Sequence, residues 1–294
     1  MKELIGTGVA LVTPFQENSE KIDFQALERL LAHTSEGVDY WVVNGTTGEG
    51  ATMTGKEKLS VLDFVKKNNP KKIPIVFGIG GYDTKAVLEA IEKMNFEGIT
   101  AILSVSPYYN RPTQAGIIQH FEKIADKCPV PIILYNVPTR TGSNMKSSTT
   151  IVLSQHPNIV AIKEASSDLV QAMEIIQGAS KDFLVLAGDD LMALPLIALG
   201  GKGVISVIAN AFPVQYGKLV RAALAGDFAE ARKYHYQLLD IDKMLFEECN
   251  PAGIKTALSL LGICADEVRL PLVEGTPQLK EKLQKAIQKV STVA

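Results

Sequence analysis

Short runs of apolar residues recur along the chain, separated by segments in which apolar positions return every three or four residues. Most runs are apolar at consecutive positions and rich in β-branched side chains, a pattern typical of parallel strands covered by helices on both faces. We count eight such runs: Gly8–Thr13, Tyr40–Asn44, Ile73–Gly78, Ala101–Ser106, Pro131–Asn136, Ile159–Lys163, Phe183–Ala187 and Gly203–Ile208.

The segments between these runs carry helix signals. Leu27, Leu30 and Leu31 form one apolar stripe, and Thr54 followed three residues later by Glu57 fits a capping box that opens the next helix. Eight strands alternating with helices over about 220 residues predict a closed (β/α)₈ TIM barrel. An open doubly wound sheet is the alternative, but it usually carries a phosphate-binding fingerprint, and the nearest match, residues 78–83, ends in Asp83 instead of glycine.

The character of the chain changes after the eighth run. From Pro213 onward no strand-like run occurs and helical spacing dominates, with Asp227 placed as the N-cap of a long helix. We therefore predict a barrel domain over residues 1–224 and a C-terminal helical domain over residues 225–294.

Composition narrows the class of protein. Of 294 residues, 46% are hydrophobic and 21% charged, with a formal net charge of −2, so nothing favours nucleic acid or an anionic membrane as a partner. The three cysteines are widely spaced, which indicates reduced thiols, and no apolar run is long enough to span a membrane. We expect a cytoplasmic protein.

Polar residues cluster at the ends of the predicted strands, where TIM barrels form their sites. Lys163 ends the sixth run, directly after four apolar residues. A buried ammonium needs a partner or loses its proton, and a neutral lysine is a nucleophile toward carbonyl carbon. The alternative is a lysine at a strand end that pairs with Glu164 or Asp168.

Tyr135 ends the fifth run, so it lies beside Lys163 if both side chains face the barrel interior. Strict alternation would put Ile159 and Ala161 on the same face as Lys163, and Val160 and Ile162 toward the helices. A tyrosine next to a reactive lysine is suited to proton transfer, which favours catalysis over the ion-pair alternative.

Other strand ends carry weaker signals. Thr46 and Thr47, between two glycines, suit a carboxylate pocket or an ordinary turn, and Arg140 suits a carboxylate clamp or the surface. Tyr108 and Tyr109 equally suit an exposed pair at an oligomer interface. The four histidines form no cluster with metal-ligand spacing, which argues against a metal-dependent aldolase.

Three segments in this order carry a family resemblance: residues 45–49 (GTTGE), 135–138 (YNVP) and 162–164 (IKE). Together they resemble the dihydrodipicolinate synthase and N-acetylneuraminate lyase family of pyruvate-dependent class I aldolases, over the whole chain. The paired threonines, residues 107–112 and Arg140 favour the branch that uses aspartate 4-semialdehyde. Two alternatives remain: another pyruvate-dependent lyase of the N-acetylneuraminate type, or a non-catalytic barrel that binds a small acid.

The resemblance implies a mechanism without external cofactor or metal. Lys163 would form an imine with pyruvate, Tyr135 would shuttle protons, and Thr47 would link Tyr135 to a Tyr109 supplied by a neighbouring subunit. The implied product is 4-hydroxy-tetrahydrodipicolinate, the entry to diaminopimelate and lysine biosynthesis. The remaining implied roles are pyruvate carboxylate binding by Thr46 and Thr47, semialdehyde binding by Arg140, and backbone lining of the pocket by Gly188 and Ile205.

The resemblance also implies assembly and regulation. The family norm is a homotetramer built as a dimer of dimers. In members inhibited by lysine, the regulatory pocket uses a serine, a histidine and a glutamate, and the matching positions here are Gly50, Gly55 or Lys58, and Ala86. Tyr108 is retained. We therefore expect weak or absent feedback by lysine.

Overall fold

A closed barrel of eight parallel strands organises the computed structural model, which describes residues 1–291. Neighbouring strands pair in chain order, and β1 closes the barrel by pairing with β8. This confirms the predicted fold class. The strands are β1 Gly6–Ala10, β2 Tyr40–Val43, β3 Ile75–Gly78, β4 Ala101–Val105, β5 Ile132–Asn136, β6 Ile159–Glu164, β7 Leu184–Ala187 and β8 Gly203–Ser206.

Helices surround the barrel and extend it at the C-terminus. Their starts follow the sequence signals, because Thr54 and Glu57 form the full capping box and the Asp227 side chain accepts from the Glu230 amide. They are α1 Phe24–Thr34, α2 Gly55–Lys67, α3 Thr84–Glu92, α4 Gln114–Lys127, α5 Pro138–Thr141, α6 Ser147–Leu153, α7 Leu169–Gly178, α8 Ala193–Ala198, α9 Pro213–Leu224, α10 Phe228–Glu247, α11 Ala252–Leu260 and α12 Pro277–Ser291.

Every strand differs from its predicted run by one to three residues at one end or both, with clear physical reasons at β1 and β8. β1 starts earlier than the apolar run at residues 8–13, because Gly6 and Thr7 already pair with β8. It also ends earlier, since the Val12 amide donates to the Asn210 side chain and the Thr13 hydroxyl donates to the Gly48 carbonyl. β8 stops at Ser206 because the next two amides, of Val207 and Ile208, donate to the Asp190 carboxylate instead of to a neighbouring strand.

The predicted alternation in β6 is wrong for its first residues. A register shift against β5 pairs Ile132 with Ile159 but Ile133 with Ala161, so one residue, Val160, is extra. Ile159 therefore packs in the outer core and Val160 against the barrel interior. From Ala161 onward the prediction is confirmed, since Ala161 lies in the interior cluster and Ile162 in the outer core.

The last three helices pack against one another and against the barrel layer through α9. The division into domains after residue 224 remains a prediction; α9 ends at Leu224, and residues 292–294 of the predicted second domain lie outside the described residues. Within residues 1–291, no helix has the length and apolar character to cross a membrane.

Candidate active site

Lys163 and Tyr135 lie side by side at the C-terminal ends of β6 and β5. The strand register pairs them directly, and the Lys163 Nζ sits 4.6 Å from the centre of the Tyr135 ring. Both side chains are buried, with 5% and 6% of their surface exposed. The barrel therefore holds an amine and a phenol next to each other at the end where TIM-barrel sites form.

The alternative role for Lys163, an ion pair with a neighbouring carboxylate, is not what the structure shows. Asp168 instead caps α7 by accepting from the amides of Val170 and Gln171. Glu164 points to the other side of the strand and accepts from the Ser166 amide at 2.7 Å. Within residues 1–291 no carboxylate pairs with the Lys163 ammonium.

A polar cluster behind the strands holds Glu164, and sequence reasoning missed it. Asn136 and Gln171 each donate to the Glu164 carboxylate at 3.1 Å. Burial raises the pKa of Glu164, while these hydrogen bonds and the one from Ser166 oppose the rise. The cluster joins β5, β6 and α7 directly behind the Tyr135–Lys163 pair and so fixes where that pair sits.

Gly188 and Ile205 complete the wall around Lys163. A Cβ atom on Gly188 would lie 2.6 Å from the Ala165 Cβ and 3.1 Å from the Lys163 Cε, so the lysine stem occupies the place of a side chain. The Gly188 amide donates to the Glu164 carbonyl at 2.7 Å. Ile205, on β8, is fully buried in the barrel interior.

The loop after β2 presents unused hydrogen-bond donors. The backbone N–H groups of Thr46 and Thr47 donate to no group among the described residues, although the following amides close a turn onto Gly45 and Thr46. Thr47 is buried and Thr46 exposed. Two free amides and two hydroxyls in one turn can hold a carboxylate.

Thr47 and Arg140 are connected through Asn250, which sequence reasoning also missed. The Asn250 Nδ2 donates to the Thr47 Oγ1 at 3.0 Å, and the Arg140 guanidinium donates to the Asn250 carbonyl at 3.4 Å. Asn250 lies in the turn between α10 and α11, so the C-terminal helices contribute to the barrel mouth. No local motif around Asn250 signals this contact, which joins residues 203 positions apart.

Tyr109, which the family resemblance assigns to the site of a neighbouring subunit, lies at the surface of this chain. Its side chain is 87% exposed, and its ring lies 6.2 Å from that of Tyr82. Tyr108 packs edge-on against the same Tyr82 ring at 5.1 Å. Tyr109 also has a left-handed backbone, with φ of 66°, which costs free energy in a non-glycine residue and often marks a functional segment.

The fold and these residues together define a class of protein: a (β/α)₈ barrel with a buried lysine amine beside a buried tyrosine at the C-terminal ends of its strands. Among the described residues, no cluster of three or more His, Cys, Asp or Glu side chains is placed to hold a metal ion.

Comparison with known proteins identifies the family within this class. Residues 3–290 match the model of the dihydrodipicolinate synthetase family. The chain is 45% identical over 292 residues to a 4-hydroxy-tetrahydrodipicolinate synthase of Cytophaga hutchinsonii, covering 99% of this chain and 98% of that one. The chain belongs to the dihydrodipicolinate synthetase family.

Solved structures agree with this assignment. Dihydrodipicolinate synthase from Aquifex aeolicus superimposes with a TM-score of 0.93 at 41% identity, covering 98% of each chain. The chloride-inhibited dihydrodipicolinate synthase from Acinetobacter baumannii, solved in complex with pyruvate, gives a TM-score of 0.94 at 35% identity, covering 98% of this chain and 99% of that one.

Proposed function

We propose that this chain is a lyase that condenses pyruvate with L-aspartate 4-semialdehyde to give 4-hydroxy-tetrahydrodipicolinate. The observation that carries the proposal is the buried Lys163 side-chain amine, which faces the Tyr135 ring and has no carboxylate partner within residues 1–291. Relatives named 4-hydroxy-tetrahydrodipicolinate synthase align with almost the whole chain. The reaction leads into diaminopimelate and lysine biosynthesis.

The first half of the proposed reaction forms an imine. The Lys163 Nζ attacks the keto carbon of pyruvate and water leaves, with Tyr135 moving protons to and from the reacting oxygen. The free amides and hydroxyls of Thr46 and Thr47 hold the pyruvate carboxylate. Gly188 and Ile205 line the pocket through their backbone groups, and the missing side chain at Gly188 leaves room for the Lys163 stem.

The second half forms a carbon–carbon bond. The imine nitrogen accepts electrons as a methyl proton leaves, and the resulting enamine attacks the semialdehyde carbonyl carbon. Arg140 binds the carboxylate of that substrate through its planar guanidinium. The substrate amine then attacks the imine carbon and displaces Lys163, so one water is released overall and neither an external cofactor nor a metal takes part.

Tyr109 enters the proposal from a second copy of the chain. Its 87% exposure supports a role in which it completes the site of a neighbouring subunit. Thr47 then links Tyr135 to that Tyr109 in a proton relay. We propose a homotetramer that acts in the cytoplasm and in which at least the dimer is needed for activity.

Borohydride reduction in the presence of pyruvate tests the imine. A covalent adduct on Lys163, seen by mass spectrometry, supports the proposal, and the Lys163→Arg variant, which keeps the charge but not the amine nucleophile, should form none. An unmodified wild-type protein would contradict imine chemistry and favour a barrel that only binds a small acid.

The second substrate needs a separate assay. Arg140→Ala should raise KM for aspartate 4-semialdehyde far more than KM for pyruvate, because only the semialdehyde loses its carboxylate partner. Unchanged semialdehyde kinetics in this variant would point to a different pyruvate-dependent aldolase.

A further inference from the structure

Asn250 is brought to the proton relay by the C-terminal helices. It lies between the end of α10 at Glu247 and the start of α11 at Ala252, and only 6% of its surface is exposed. We propose that Asn250 is a positioning residue, whose Nδ2 donates to Thr47 Oγ1 and so sets the direction in which that hydroxyl passes a proton. This inference rests on the proposed function, in which Thr47 is part of the relay.

The hydrogen-bond inventory of Thr47 carries the inference. A threonine hydroxyl has one hydrogen to donate and two lone pairs that accept. Asn250 occupies one lone pair, at 3.0 Å, and no other described residue bonds to this hydroxyl. One hydrogen and one lone pair therefore remain. These are what a relay hydroxyl needs, since it accepts from one tyrosine and donates to the other.

The Asn250 amide differs from that of a buried asparagine that only holds the fold. Asn210, which is fully buried, bonds the backbone at both ends of its side chain: its Oδ1 accepts from the Val12 amide and its Nδ2 donates to the Ala10 carbonyl. The Asn250 Oδ1 is buried and has no hydrogen-bond partner among the described residues. An acceptor left unpaired in this way costs stability, so the amide is not optimised for folding alone.

The two polar groups of Asn250 serve different residues. Its side chain contacts Thr47, whereas its backbone carbonyl accepts from Arg140. A side-chain substitution leaves the carbonyl in place. The expected loss therefore falls on proton transfer, seen in kcat, and spares KM for the semialdehyde.

The test uses Asn250→Asp and Asn250→Ala in the full chain. An ionised aspartate has the shape of asparagine but only accepts hydrogen bonds, so at neutral pH it cannot donate to Thr47. We expect kcat to fall about 10- to 100-fold in both variants, because general acid–base steps depend on such geometry. As the pH is lowered, the carboxyl group introduced in N250D gains a proton to donate, and kcat relative to wild type should recover in N250D but not in N250A.

A double-mutant cycle separates relay positioning from a structural effect. In the Thr47→Val background, Asn250→Asp should cost little more, because the hydroxyl that it orients is already absent. The control is Asn158→Asp, which loses a side-chain amide that donates to the Ala125, Cys128 and Val130 carbonyls near the start of β6. It should lower the melting temperature without changing the pH dependence of kcat.

Several results would overturn the inference. Wild-type kcat in N250D at every pH would mean that the amide oxygen accepts from Thr47. Equal losses in N250D and N250A with no pH-dependent recovery, or full additivity with Thr47→Val, would mean a structural role. If N250A does not fold, the pH dependence of kcat in the isosteric N250D and the double-mutant cycle with Thr47→Val are sufficient to test the inference.

The proposed function can fail separately. The rate of borohydride-trapped adduct formation with pyruvate alone is measured in each variant, and it should show the same pH-dependent recovery in N250D. If wild type forms the adduct but does not turn over the semialdehyde, the assignment of the second substrate is wrong, and the rate of adduct formation still tests the role of Asn250. If wild type forms no adduct, the proposed function and the role of Asn250 are both wrong.

Discussion

Glu49 and Lys255 form a fully buried ion pair, with 2.5 Å between Oε1 and Nζ, that ties the loop after β2 to α11. The second Glu49 oxygen accepts from the Arg269 amide at 2.9 Å, and Lys255 also donates to the Glu267 carbonyl. The Lys255 ammonium lies 4.2 Å from the centre of the Phe15 ring. The C-terminal helices thus anchor the end of the loop that carries Thr46 and Thr47.

Removing one partner of this pair should destabilise the protein strongly. Lys255→Met leaves the Glu49 carboxylate buried without its counter-charge, and such losses cost about 3–5 kcal/mol in the free energy of unfolding. Urea denaturation measures the change. The control is Lys71→Met, which breaks an ion pair with Glu36 that lies at the surface and should cost far less.

The neutral double variant Glu49→Gln with Lys255→Met should recover much of that stability, since no buried charge is left unpaired. A Lys255→Met variant as stable as the Lys71→Met control would show that loss of the buried ion pair does not lower the free energy of unfolding as expected.

Gly188→Ala should impair catalysis more than folding. The added methyl would lie 2.6 Å from the Ala165 Cβ and 3.1 Å from the Lys163 Cε, so the lysine or its strand must shift. Because a displacement of about 1 Å in a reacting group can cost 100-fold in rate, we expect kcat/KM for pyruvate to fall about 10- to 100-fold. Steady-state kinetics and borohydride trapping measure the effect.

Gly81→Ala is the matched control, since its new Cβ would meet only the Val87 side chain, at an ordinary 3.5 Å. It should keep near wild-type kinetics. Equal kinetics in the two variants would show that the Lys163 stem tolerates a methyl group at position 188.

The parts of the site that sequence predicted are those with a local signal. Strand periodicity places Lys163 and Tyr135 on neighbouring strand ends, and the register confirms that they are paired. The extra residue at Val160 leaves no trace in the apolar pattern, because both faces of a buried parallel strand are apolar. Asn250 and Lys255 lie about 200 positions along the chain from the residues that they contact, Thr47 and Glu49, so no local sequence pattern predicts these contacts.

Lysine should inhibit the enzyme weakly or not at all. Gly50 and Ala86 offer no polar side chain to an amino-acid effector, and Lys58, if it lines the same surface, would repel its ammonium group. Position 50 also has no room for a serine without a shift, since a Cβ there would lie 2.5 Å from the Asn44 Oδ1. Steady-state rates should be unchanged by sub-millimolar lysine. Inhibition in that range would show that other residues form the regulatory pocket.

Buried His120 should make the protein less stable as the pH falls. Its Nδ1 lies 2.8 Å from the Thr84 hydroxyl, while its Nε2 is buried with no hydrogen-bond partner among the described residues. Burial lowers the pKa of His120 to about 4, from 6.5 in the unfolded chain. The unfolded state therefore binds a proton first, and the stability present above pH 6.5 is lost as the pH falls toward 4.

The measurement compares urea denaturation of wild type and His120→Gln across this pH range. The difference between the two proteins isolates His120, because the other titrating groups are common to both. Wild type should lose up to about 1.4 kcal/mol more per pH unit than the variant, which is the linkage slope for one proton. Parallel stability curves for the two proteins between pH 6.5 and 4 would mean that His120 takes up its proton as easily in the folded protein as in the unfolded chain.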